Sequence, residues 1–129
     1  KAIWALANLS SDCTTYRDIV LKHGGLYPLL KIVGEPGLEQ EIFNQGVWAI
    51  SNLCKQQPAP AFGYVKAAAP ILFNVVHTQG DEDVLSDATW SLVASLRPDN
   101  FLEIMETCSH AISDLAFLLK SGILILLRN

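Results

Sequence analysis

The sequence predicts an all-α solenoid of stacked three-helix repeats, present as a partial array. Three observations lead there. Tryptophan recurs in one context, Ile3-Trp4-Ala5-Leu6-Ala7-Asn8-Leu9, Val47-Trp48-Ala49-Ile50-Ser51-Asn52-Leu53 and Thr89-Trp90-Ser91-Leu92-Val93-Ala94-Ser95-Leu96, at intervals of 44 and 42 residues. Between the tryptophans a cycle of short, medium and long apolar-periodic segments returns. No strand pattern competes with it over any comparable length.

The elements follow in order. Residues 1–12 read as the last helix of one repeat. Residues 13–55 read as a full repeat, with a short helix over 14–23, a medium one over 26–33 and a long one over 39–54. Gly24-Gly25 closes the short helix, because glycine takes the positive φ that ends one. Pro36-Gly37 marks the turn before the long helix, whose apolar positions are Ile42, Phe43, Val47, Ile50, Leu53 and Cys54. Residues 56–97 repeat the cycle as 58–66, 67–77 and 81–96, and 98–129 begin another that reaches Leu119. Ile71 to Val76 would pass for a strand by propensity alone. The repeat context makes it a helix, apolar all round, as suits the spine of a stack. A period of about 40–47 residues fits HEAT or armadillo repeats. The chain opens inside a helical pattern with no cap ahead of it and closes just after the apolar run Ile123 to Leu127. The array is therefore expected to continue on both sides.

Composition narrows the function. Half of the 129 residues are hydrophobic and 17% are charged, which excludes a disordered tail. Nine basic residues stand against 13 acidic ones, a formal charge of −4. That argues against nucleic acid and favours a cationic partner. Cys13, Cys54 and Cys108 are odd in number and far apart, which points to a reducing compartment rather than a disulfide framework. His23, His77 and His110 are scattered near helix ends, so no metal site is expected. There is no Ser-His-Asp set, HExxH or glycine-rich phosphate loop, hence no catalytic residue, no cofactor and no enzyme. The apolar run 115–127 is broken by Lys120, Ser121 and Gly122 and is too short to span a bilayer. No membrane partner is expected.

The remaining chemistry lies in the tryptophan motifs. Trp and Asn four apart share one helix face. Helices stacked about 8–10 Å apart set out a ladder of indoles and amides. Two neighbouring indoles leave a slot for one alkyl chain, and a Lys or Arg stem there gains a cation–π term of about 0.5–2 kcal/mol. Asn8 and Asn52 carry both donor and acceptor and suit the backbone of an extended peptide. One repeat spans roughly three residues of such a peptide, which advances about 3.3–3.6 Å per residue. Asp12 lies two turns beyond Trp4 on the same face, at a helix C-terminus that adds partial negative charge. Its carboxylate suits a lysine ammonium. It also suits a cap for the helix that begins near Thr14, and the two roles are compatible. Asp83 and Asp87, one turn apart and ahead of Trp90, make a second acidic spot. Asp81-Glu82-Asp83 reads equally as a helix start matched to the dipole.

These residues resemble the armadillo domain of the importin-alpha family. The matching words are Trp4-Ala-Leu-Ala-Asn8-Leu-Ser-Ser-Asp12, Tyr16-Arg17-Asp18-Ile19-Val20-Leu21, Trp48-Ala-Ile-Ser-Asn52-Leu-Cys54-Lys55, Pro58-Ala-Pro60-Ala-Phe62-Gly-Tyr-Val65-Lys66, and Asp81-Glu-Asp-Val-Leu-Ser-Asp87-Ala-Thr-Trp90-Ser-Leu92. The resemblance implies a right-handed superhelix running from the third repeat's last helix into the sixth repeat. It implies an adaptor, shuttling between cytoplasm and nucleus, that binds basic nuclear localisation peptides along a concave groove. Asp12 falls at the family's main lysine-binding aspartate, with Ser11 beside it where glycine is usual. Asp83 and Asp87 fall at acidic positions and Gln45 at a polar groove position, while Trp4, Trp48 and Trp90 take the stacking role. The implied partners are importin-beta, through an N-terminal segment absent from this sequence, and the Ran GTPase system. Departures are Ala94 where the family more often has Tyr, Lys1 where a groove Gln is expected, and Arg97-Pro98-Asp99 for a Ser-Asp-Gly turn. An armadillo scaffold not dedicated to localisation signals is the alternative, and such a scaffold usually lacks the paired Trp-x-x-x-Asn.

Overall fold

Apolar residues three and four apart give each segment one face to bury, and the chain responds with helices. The computed structural model describes residues 1–78, 81–95, 97, 99–108, 113, 116 and 120. Among these residues there are seven helices and no strand: α1 (Ala2–Asp12), α2 (Thr14–Lys22), α3 (Leu26–Val33), α4 (Gln40–Lys55), α5 (Phe62–Thr78), α6 (Glu82–Ser95) and α7 (Phe101–Thr107). The arrangement is an all-α armadillo-repeat fold.

The long helices form one layer. α4 packs against α1 on one side and α6 on the other, while α2, α3 and α5 back α1, α4 and α6 respectively. α4 buries Val47, Ala49, Ile50, Leu53 and Cys54 along its length. Burying a side chain the size of Ile50 or Leu53 contributes about 1.5–3 kcal/mol. Gly46 permits the close approach of α4 to α3, since a Cβ there would lie 2.6 Å from Val33 Cγ2. α2 ends as its glycines predict. Gly24 takes φ +77°, its N–H donates to Leu21 O at 3.0 Å, and Gly25 N–H donates to Val20 O at 2.9 Å. Those two bonds satisfy carbonyls that the helix itself leaves unpaired.

One element departs from the expected cycle. A short helix over 58–66 and a medium one over 67–77 are replaced by the single helix α5, Phe62–Thr78, with Pro70 inside it. The double proline at 58 and 60 does not start the helix but precedes it. The physical reason is local. No glycine pair separates Lys66 from Ala67, and Ala67-Ala68-Ala69 are the strongest helix formers. Pro70 removes the bond to Lys66 O at a cost of about 3 kcal/mol in an isolated helix. The buried face of Val65, Ala68, Ala69, Leu72, Phe73, Val75 and Val76 offsets it. Beyond Thr107, the expected continuation to Leu119 and the apolar run 115–127 lie outside the described residues, save for 113, 116 and 120. No helix among the described residues is long and apolar enough to cross a membrane.

Nothing lies within 4 Å of a Cβ built on Gly24, so replacing it strains backbone alone. Gly24→Ala is expected to lower unfolding free energy by about 1–2 kcal/mol, read as a shift of the urea midpoint at unchanged slope.

Candidate functional site

The layer α1–α4–α6 carries every candidate residue. Trp4 is 58% exposed and Trp90 49% exposed. Trp48, on the helix between them, is half-buried and rests against the core. Gln45, one turn before Trp48, is half-buried.

The two asparagines behave differently. Asn8 is half-buried and donates from Nδ2 to Trp4 O at 3.1 Å within its own helix. Asn52 is only 3% exposed, and its Nδ2 donates across to Ala7 O on α1 at 3.0 Å. It therefore differs from the amide open on both sides that the sequence led us to expect. A buried polar group needs a partner, and the neighbouring long helix supplies one.

The acidic residues divide into two environments. Asp12 closes α1, is exposed, and has no hydrogen bond or ion pair among the described residues. It does not cap α2, whose N-cap is Cys13 without a side-chain bond. Ser11 is exposed beside it and donates to Asn8 O at 2.8 Å. At the start of α6, Asp81 Oδ1 accepts from Asp83 N at 3.0 Å and Val84 N at 3.2 Å, so Asp81 is the cap. Asp83 is exposed. Asp87 is 28% exposed and faces Lys55 Nζ at 3.8 Å. Burial pushes its carboxyl above the usual range, Lys55 draws it down, and the charge of Asp83 pushes it up again.

Three residues without an assigned role prove to belong here. Lys55 covers Asp87. Arg17, 1% exposed, donates from Nη1 to Gln56 O at 2.6 Å and grips Asp18 Oδ1 with Nε and Nη2 at 3.0 and 2.8 Å. Gln56 Nε2 donates to Ser11 O at 2.7 Å. Gln56 was findable, because it stands 44 residues after Asp12, the interval that separates Trp4 from Trp48. Burial pushes the Cys54 thiol up to about 12, with Arg17 drawing it down, so the group stays protonated. Among the described residues no three His, Cys, Asp or Glu side chains converge as metal ligands.

The chain is similar in sequence to known proteins. Importin subunit alpha-1b of Oryza sativa subsp. japonica is 42% identical over 92 residues, 71% of this chain and 17% of that protein. Importin subunit alpha-2 of Arabidopsis thaliana is 39% identical over 92 residues, again 71% of this chain and 17% of that protein. The chain belongs to the importin-alpha family. Importin subunit alpha-B of Dictyostelium discoideum is more distant in coverage, 39% identical over 66 residues, 50% of this chain and 13% of that protein. The stretch shared with the plant relatives above is about a sixth of their length, 17% in each. No protein-family model matches the chain.

The raised carboxyl of Asp87 has a signed consequence. An acid whose folded pKa lies above its unfolded value contributes stability that is full below the ordinary carboxylate range. That contribution is lost as pH rises through the folded value. Asp87→Asn, a mimic of the protonated acid, should therefore gain stability relative to the native chain as pH is raised from about 4 to about 8, followed by denaturant titration at each pH.

Proposed function

We propose that this importin-alpha chain binds basic nuclear localisation peptides, laid extended along α1, α4 and α6, as part of a nuclear import adaptor. One observation carries the reading. Asp12 is exposed and, among the described residues, unpaired at the C-terminal end of α1, two turns beyond the exposed indole of Trp4. A lysine there meets a full carboxylate and the negative end of a helix dipole at once. Trp4, Trp48 and Trp90 take alkyl stems between their rings. Asn8 turns from Trp4 O to the peptide backbone, while Asn52, whose N–H side is held by Ala7 O, receives a peptide N–H through its oxygen. Gln45 adds a polar contact, and Ser11 lines the approach to Asp12. Asp83 and Asp87 receive a second basic residue in exchange for Lys55.

The adaptor performs no chemistry. Cargo would be carried between cytoplasm and nucleus with energy supplied by partners, importin-beta and the Ran system. The relatives' names, all importin subunit alpha, support this placement. An armadillo scaffold for another protein is the second reading. The inward amide of Asn52 and the Lys55–Asp87 pair favour it, since both withdraw groove chemistry from a basic peptide.

Titration with a lysine-rich extended peptide separates the two. Cargo binding is expected to quench or shift tryptophan fluorescence, to weaken with added salt, and to lose at least about 1 kcal/mol on Asp12→Lys. An affinity that ignores both salt and Asp12→Lys would favour the scaffold.

A further inference from the structure

The C-terminal turns of α1 and α4 are joined by bonds that peptide binding does not itself use. Gln56 occupies in its repeat the register that Asp12 occupies in the one before, 44 residues earlier. Its side chain folds back instead of facing out, and Nε2 reaches Ser11 O at 2.7 Å. Ser11 is the next-to-last residue of α1, so its carbonyl has no partner inside that helix. The residue that follows it is Asp12. Gln56 is held from behind by the buried Arg17, whose Nη1 donates to Gln56 O at 2.6 Å. One turn back, Asn52 holds Ala7 O at 3.0 Å.

Two amides four residues apart, Asn52 on α4 and Gln56 at its C-cap, thus hold two carbonyls four residues apart on α1. Packing against α4 and α2 sets the rotation of α1, and the two bonds pin the register of its C-terminal turns along α4. Glutamine also carries a cost at this position, because Gln56 Oε1 is buried with no partner among the described residues. A methionine of similar length would remove that stranded acceptor but leave Ser11 O without its donor. What glutamine adds is an N–H directed at the turn that carries Asp12.

We propose that Gln56 is a positioning residue for the cation site: by holding Ser11 O it fixes the Asp12 carboxylate relative to the Trp48 ring, and so sets discrimination for a lysine ammonium at that one point of the peptide. The proposal rests on the reading of Asp12 as a lysine site.

The full chain is titrated with a lysine-rich extended peptide and with a series in which one lysine at a time is replaced by norleucine, which keeps the stem and removes the charge. The position whose norleucine penalty vanishes in Asp12→Asn marks the lysine paired with Asp12. In Gln56→Met that penalty is expected to shrink from about tenfold to about threefold or less, while penalties elsewhere in the peptide stay within about twofold. Gln56→Leu, which loses the donor without adding a charge, is expected to show the same pattern, with cooperative melting followed by circular dichroism in both. An unchanged penalty at the Asp12 position, or an equal loss at every position, overturns the proposal. So does a failure of both variants to fold, because the bond would then hold the fold rather than aim a side chain. A series in which Asp12→Asn alters no penalty refutes instead the lysine site itself.

Discussion

Everything in this chain depends on α4 being enclosed on two sides. Its apolar stripe meets α1 and α6 at once, and α3 closes in behind it at Gly46. That enclosure makes the three long helices one surface rather than three separate rods. It also sets the terms for polar residues on α4. Ser51 and Asn52 are buried among Ile50, Leu53 and Cys54, and each finds a carbonyl, Trp48 O at 2.8 Å for Ser51 and Ala7 O at 3.0 Å for Asn52. An amide left without a partner there would lose most of what a neighbouring leucine contributes. The same packing that builds the surface thus draws part of its binding chemistry inward.

The two acidic spots are unequal for the same reason. Asp12 stands at the end of a helix, open and without a counter-ion among the described residues. Asp87 stands beside Asp83 on a helix packed against α4, and the end of α4 brings Lys55 to 3.8 Å. In the proposed binding mode a ligand cation arriving at Asp12 would gain an interaction. One arriving at Asp87 exchanges with a cation already present, so the Coulomb energies largely cancel. In the proposed binding mode, selectivity for charge is concentrated at α1 and fades toward α6.

Much of this was legible in the sequence, and the limits have physical causes. Period and punctuation placed α1 to α4 and α6 within a residue or two, because glycine, proline and apolar spacing act locally. The repeat period divides α5 into two helices, but no glycine pair interrupts Ala67-Ala68-Ala69 and the chain runs on as one helix through Pro70. The register showed that Trp4, Asn8 and Asp12 share a face. It could not show how far each helix is rotated about its own axis. That rotation decides whether Asn52 opens outward or reaches Ala7, and tertiary packing sets it. Lys55 and Arg17 went unassigned because their partners, Asp87 and Gln56 O, lie 32 and 39 residues away in sequence. Gln56 went unassigned too, although it stands one period after Asp12.

The third tryptophan motif differs from the first two. Ala94 takes the place where Asn8 and Asn52 stand in the first two motifs, so α6 offers an indole and two carboxylates but no amide. A peptide crossing the layer would find backbone contacts at α1 and α4 only, a span of roughly six residues if one repeat covers about three. At α6 it would be held by side chains alone, with Trp90 half exposed and Lys55 competing for Asp87. The backbone contacts are blind to sequence and the side-chain contacts are not. In the proposed binding mode such a surface would grip firmly where Asp12 reads the charge, and hold loosely where the reading has already been made.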